Sequence, residues 1–270
     1  MARVLKKASY KNKITFNDLH KWNLYLAALH FIQGAVILII SKSRAFPVTT
    51  NYLTLNPLSS SAAGHPVLVA ATRHLFDFNI AYLIAAFFFI SAIAHTYLAT
   101  AYRSRYEADL KKGINRIRWI EYGFSAGLMM VAIAFLSGAY DLSTIVMIFS
   151  LTLIMNLLGL LMEVHNHTTK STSWLSYIIG CFAGIIPWVV FVIYVIGSGV
   201  FGSGNIPTFV YWIYVSMFIF FSSFAVNMYL QYKKKGKWAD YLYGERTYMI
   251  LSLVAKTLLA WQVFAGILRP

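Results

Sequence analysis

Apolar residues fall along this chain in seven long blocks, near 22–41, 79–102, 118–139, 142–163, 174–197, 208–231 and 247–268, and charged residues gather between them. About 20 consecutive apolar residues cross a hydrocarbon core as an α-helix, so each block predicts one span. All connections but the first are short, as between antiparallel neighbours in a bundle. The first, 42–78, contains the β-branched stretch Phe46–Leu55 with Pro47 inside it and Asn56-Pro57 after it. A Ser/Ala/Gly-rich turn and His65-Pro-Val-Leu-Val69 follow, and together they predict two short strands. A lone hairpin is marginal in water, so it should pack on helix ends or on a neighbouring protomer. The expected fold is an all-α integral membrane protein: a seven-transmembrane-helix bundle with a short two-stranded β-hairpin in the first outer loop. One domain spans 1–270, with a basic arm at 1–21. No internal repeat is evident, which sets it apart from inverted-repeat transporters.

Composition agrees with a polytopic protein: 59% of the 270 residues are hydrophobic and 12% charged, where soluble domains average about 25% charged. The formal charge of +14 invites a nucleic-acid reading, but its distribution argues against one. Eighteen of the 23 basic residues lie in the N-terminal arm and in the second-to-third, fourth-to-fifth and sixth-to-seventh connections. The opposite side holds only Lys42, Arg44, Arg73 and Arg269. By the positive-inside rule this predicts a multi-pass cell-membrane protein with a cytoplasmic N-terminus and an extracellular C-terminus. The basic side would also touch anionic lipid of the bilayer. The single cysteine, Cys181, excludes an intrachain disulfide and a CxxC-type metal site. The basic arm leads into a full-length span without a small-residue cleavage site, so no cleavable signal peptide is expected.

One basic residue remains. Lys256 interrupts the apolar run Tyr248–Trp261 at mid-span, where a cation costs roughly 2.5–3.5 kcal/mol even on lenient insertion scales. A neutral amine in an apolar pocket is a nucleophile toward a carbonyl, so a Schiff base with an aldehyde cofactor is one reading. A snorkelling lysine or a structural ion pair is the other. Six acids, Asp18, Glu107, Asp109, Asp240, Glu245 and Glu163, fall in cytoplasmic segments or at a cytoplasmic helix end, and Asp77 and Asp141 at outer ends. That leaves Glu121 as the internal partner. Its depth conflicts: Lys256 is ten residues past Arg246, about 15 Å of helix, whereas Glu121 is three past Arg118. A third helix starting near Lys112, with Arg116 and Arg118 facing a wet cytoplasmic cavity, would ease the mismatch. Helical spacing groups Glu121, Ser125 and Met129, and puts Ser252 one turn before Lys256. His30 and Gln33 pair in the first span, Ser91 and His95 in the second; none has metal-ligand spacing, so no metal is expected. Aromatics such as Trp188, Phe220, Phe221, Phe224 and Trp261 permit a flat polyene ligand but read equally as helix packing.

Seven helices, a lysine at the middle of the seventh and a carboxylate in the third match the microbial rhodopsin pattern, but the expected orientation is inverted. The chain resembles the heliorhodopsins over nearly its whole length. The likeness is carried by Arg118-Trp-Ile-Glu-Tyr122, Gly180-Cys-Phe-Ala-Gly-Ile-Ile-Pro-Trp188, Tyr229-Leu-Gln-Tyr-Lys233, Gly236-Lys-Trp238, Gly244-Glu-Arg246 and Ser252–Gln262. The resemblance implies that Lys256 carries all-trans retinal as a protonated Schiff base with Glu121 as counterion. It implies retinal-lining positions at Tyr122, Ser125, Met129, Thr152, Met155, Gly159, Ile185, Phe221, Phe224, Met228 and Ser252. It also implies a cytoplasmic polar cavity of His30, Gln33, Ser91, His95, Tyr106, Asn115, Trp119 and Tyr122. Ser252 stands where proton pumps have a second carboxylate. Ser125-Ala126-Gly127 replaces a serine-rich turn and Thr152 an asparagine, so colour and photocycle rate do not carry over.

A proton pump needs a donor as well as an acceptor, yet Ala132 stands where the donor carboxylate would be and no acid lies in the outer half of a span. The expected function is therefore a non-enzymatic photoreceptor. Light would isomerise retinal from all-trans to 13-cis, the Schiff-base proton would leave toward His30 and His95, and an unidentified cytoplasmic partner would read the change. A light-gated proton channel or transporter is the alternative, and the resemblance implies a homodimer.

Overall fold

The computed structural model describes residues 14–202 and 206–270. Most of the expected basic arm, residues 1–13, lies outside the described residues. Seven helices are long and apolar enough to cross a membrane: α1 (Phe16–Ile40), α3 (Ile80–Ala99), α5 (Arg116–Leu136), α6 (Leu142–Thr168), α7 (Leu175–Phe201), α8 (Thr208–Tyr232) and α9 (Tyr241–Val263), the last continued by a π turn to Leu268. Two short helices, α2 (Pro57–Ala63) and α4 (Arg103–Lys111), sit in the first two connections.

Polar caps explain where several spans begin. Thr15 and Asp18 form a capping box, with Thr15 N–H donating to Asp18 at 2.9 Å and Asp18 N–H to the Thr15 hydroxyl at 3.1 Å. Asn79, Asn115, Asp141 and Asp240 accept from the first turns of α3, α5, α6 and α9. Each such cap stabilises its helix by about 1 kcal/mol. As a result α1 and α9 start six residues before the hydropathic expectations of 22 and 247. Residues 16–21 are thus helix, not arm.

The 42–78 connection is larger than two short strands. β1 (Ala45–Leu55) pairs antiparallel with β2 (Leu68–Asn79), from Ala45 opposite Asn79 to Leu55 opposite Leu68, with a bulge at Val48/Thr49. The second strand begins at 68 rather than 65 and runs to the start of α3. The Ser/Ala/Gly turn is α2, capped by Asn56 and stopped at Gly64, whose φ of 71° suits a residue without Cβ. The ribbon is fastened to the α5–α6 end of the bundle. Thr49 N–H donates to Tyr140 O at 2.9 Å, Asn51 N–H and Nδ2 to Asp141 Oδ1 at 3.2 Å, and Phe46 and Phe78 stack on Phe135.

Neighbouring helices follow the order α1–α3–α5–α6–α7, with α9 packed on both α8 and α1. α5 is the most enclosed span, 72% buried, whereas α8 is only 17% buried and faces the surroundings. Most residues on α5 therefore have neighbours on every side, and the polar residues of the bundle converge there.

Candidate functional site

Lys256 is 2% exposed and Glu121 is 6% exposed. The Lys256 amine donates to Glu121 Oε1 at 2.9 Å and to Ser252 Oγ at 2.7 Å, and it lies 5.1 Å from the centre of the Tyr122 ring. Helical side chains point back toward the N-terminal end of their helix. Contact with Ser252 shows that the lysyl chain does so by one turn, which closes the depth gap read from the sequence. The gap is not closed as expected: α5 begins at Arg116, after the Asn115 cap, not near Lys112. Nor does Arg118 face a wet cavity, because it is 4% exposed and ion-paired on both sides. On its other flank Glu121 Oε1 accepts from Ser91 Oγ at 2.6 Å.

Beyond the amine runs an apolar slot. Tyr122, Ser125, Met129, Met155, Phe221 and Phe224 wall the part beside Lys256, with about 410 Å³ of space counting what opens to the surroundings. A second lobe of about 490 Å³ on the same measure shares Met155, Phe221 and Phe224 and adds Gly159, Met228 and Trp119. Gly159 is required by this arrangement, since a Cβ there would come within 2.5 Å of the Trp119 ring. The Ser125 hydroxyl is buried without a partner among the described residues. A long, predominantly apolar slot with one amine near its end fits a conjugated aldehyde such as retinal. Nine of the eleven expected lining residues meet here. Thr152 does not line either lobe: its hydroxyl donates back to Ile148 O at 2.9 Å. Ile185 also lies elsewhere, 40% exposed on α7. Asn156 and Ala255, by contrast, line the slot though hydropathy gave no reason to single them out.

A narrow polar crevice lies on the other side of Glu121, lined by Asn23, His95, Asn115, Arg118 and Glu245. His95 Nδ1 and Asn23 Oδ1 are 2.7 Å apart, and the His30 and His95 rings stack at 5.7 Å. Both ring nitrogens of His30 and Nε2 of His95 have no partner among the described residues. Gln33 is not in this cavity. It is half-buried, outside the lining of the crevice, and accepts from Trp261 Nε1 at 3.3 Å. Trp119 also turns away, donating to Glu163 Oε2 at 2.7 Å.

Below the crevice sits a charge cluster that the acid census misassigned. Glu163, expected at the cytoplasmic end of its span, and Glu245, expected in a cytoplasmic segment, are 2% and 1% exposed. Arg118 bridges them, Nη1 to Glu245 and Nη2 to Glu163, with its guanidinium 4.1 Å from the Tyr248 ring centre. Asn115 Nδ2 donates to Glu245 at 2.5 Å, its N–H to Glu163 at 2.9 Å, and Tyr241 OH to Glu163 at 3.1 Å. Tyr106 OH reaches Glu245 at 3.4 Å, and burial pushes this phenol well above its ordinary pKa, so it remains a donor. A signal for the cluster was present: Glu245, Met249, Ser252 and Lys256 follow at spacings of four, three and four, as do Thr152, Asn156, Gly159 and Glu163.

A family model described as Heliorhodopsin matches residues 19–268. The chain belongs to that family. No curated protein matches it. Among solved structures it is similar to the crystal structure of a light-driven proton pump, LR (Mac), from Leptosphaeria maculans, with a TM-score of 0.60 and 14% identity over 94% of this chain and 97% of that one. At that identity the likeness is one of fold.

Proposed function

We propose that this heliorhodopsin is a retinal-binding photoreceptor that signals and does not pump. The observation that carries the reading is the buried Lys256–Glu121 pair, 2.9 Å apart, set against an apolar slot. Retinal, when bound to Lys256, supplies visible absorption and a light-driven change of shape. The chain supplies the rest. Glu121 is the anion that keeps a positive charge at the Lys256 nitrogen tolerable in a buried site, since an unpaired buried cation would cost several kcal/mol. Ser91 and Ser252 orient that pair from either side. Tyr122, Met129, Phe221 and Phe224 confine the ligand, and the free Ser125 hydroxyl offers it one polar contact.

A proton leaving the Lys256 nitrogen meets Glu121 Oε1 first, and next His95 at the crevice, whose Nε2 has no partner among the described residues and whose ring stacks on that of His30. In the opposite direction the bundle is filled by Met130, Ala132, Ile133, Phe135 and Leu259, each 3% exposed or less. Among the described residues no carboxylate stands there before Asp141 at the rim. That asymmetry supports a proton shuttled to and from one side, hence sensing over pumping. With the basic connections facing the cytoplasm, the crevice and the Arg118 cluster lie between the chromophore and a cytoplasmic partner, and two copies of the chain would work as a dimer.

The test is electrical. Cells expressing the retinal-loaded protein under voltage clamp should show no steady photocurrent, while flash spectroscopy shows a cyclic change in colour. A sustained outward photocurrent would establish pumping, and one that reverses with the proton gradient would establish a channel; either overturns the proposal.

A further inference from the structure

The charge cluster has a second neighbour that the photoreceptor reading does not use. At the end of the bundle where α4, the α6–α7 connection and the end of α8 meet, a basin of about 1120 Å³, counting its open mouth, extends down to Glu163. Its walls carry Lys111, Lys112, His167, Lys170 and Lys234. Among the described residues none of these lysines forms an ion pair. The one carboxylate at the floor is already matched by Arg118 and accepts from Tyr241 OH, so it presents no free anion to repel a ligand.

Lys234 in the basin wall has an unusual backbone. It has a φ of 49°, and it stands alone among the described non-glycine residues in having a positive φ. It follows the end of α8 at the position where helices ordinarily place glycine. A lysine in this left-handed conformation is strained, and strain of this kind clusters at binding and switch sites. Relieving it would take only a glycine, yet the residue present carries a charge into the basin wall. Thr172 adds a hydroxyl to the wall, and Asn166, Thr169 and Gln231, bonded within the chain, hold its shape.

We propose that this basin binds a phosphate-bearing anion, with Lys112, Lys170 and Lys234 as its charged contacts. Lysines contributed by three different segments to the wall of one polar basin suit a multivalent anion, since charge-assisted contacts to phosphate are roughly twice as strong as neutral ones. Because Glu163 is shared, an occupant sits one carboxylate away from Arg118.

The experiment uses the whole chain in nanodiscs and reads binding alone, so it stands or falls apart from the photoreceptor reading. In discs of zwitterionic lipid, inorganic pyrophosphate is titrated calorimetrically at physiological ionic strength, and the titration is repeated in discs that contain phosphatidic acid. Saturable binding is expected in the first. If phosphatidic acid leaves it unchanged, the site takes a free phosphate compound; if phosphatidic acid displaces it, the occupant is a lipid headgroup. Lys234→Gly and Lys170→Gln should each weaken binding about fivefold, and Lys42→Gln at the other end should not. Lys234→Gly should keep the thermal midpoint of the parent or raise it, which separates lost contact from lost fold, and Lys170→Gln provides the same reading should it not. Absence of saturable pyrophosphate binding, or equal affinity in both basin variants and the Lys42 control, would overturn the proposal.

Discussion

Replacing Arg118 by methionine tests the buried charge cluster most sharply. The guanidinium lies between Glu163 and Glu245, and the three residues are 4%, 2% and 1% exposed. Without it two carboxylates share one buried site, with only Asn115, Trp119, Tyr241 and the distant Tyr106 as donors. Breaking a buried ion pair by removing one partner costs about 3–5 kcal/mol. At roughly 2–4 °C per kcal/mol for a chain of this order of size, the apparent midpoint of thermal unfolding in nanodiscs should fall by about 6–20 °C. The cost arises from uncompensated charge, not from lost contact, so neutralising both acids should reverse it. The triple variant Arg118→Met, Glu163→Gln, Glu245→Gln should recover more than half of the loss. A single variant within about 2 °C of the parent, or a triple variant as unstable as the single, would refute the reasoning.

Glu121→Gln removes the anion beside Lys256, and the retinal-loaded protein should shift its absorption maximum strongly or move its bleaching midpoint by about 2 pH units or more; an unchanged spectrum and pH titration would count against the counterion role. Gly159→Ala drives a methyl group into the Trp119 ring, whose nitrogen holds Glu163, and should lower stability by about 1–3 kcal/mol in thermal unfolding; parental stability would mean that Trp119 can yield. The Asp141 carboxyl is held below the ordinary carboxylate range, first by the Ser143 hydroxyl and then by the N–H groups of Thr144 and Asn51. A depressed folded pKa contributes stability that is complete above the unfolded value of about 3.9 and is lost as pH falls through the folded one. Hydrogen-exchange protection at Thr49 and Asn51, measured relative to the intrinsic rate at each pH, should therefore fall in acid. It should lose that dependence in Asp141→Asn, which keeps a competent cap; equal acid dependence in both would contradict it.

How much of this was legible follows from what hydropathy can see. The seven spans were, because each needs an apolar length that a soluble connection lacks. Their polar first turns were not: Asp18 in α1 and Glu245 with Arg246 in α9 read as cytoplasmic connection, although the caps at Thr15 and Asp240 extend the helices over them. Lys256 and Glu121 could be matched across 135 residues because each stood nearly alone in an apolar block. Arg118, Glu163 and Glu245 could not, since each lies among other charges and only folding separates the buried from the wet. Gln33 shows the converse error, in which a polar residue near a buried histidine was assigned to its cavity although it lies outside the lining of the crevice.

The central claim is that Lys256, paired with Glu121 beside the slot, is the point of attachment for retinal. The measurement that tests it most directly is the visible spectrum of the purified protein after addition of all-trans-retinal, in the parent and in Lys256→Ala, at equal folded concentration. The account predicts a visible band in the parent and only free retinal in the variant. A parent that stays colourless, or a variant that forms the same band, would contradict it.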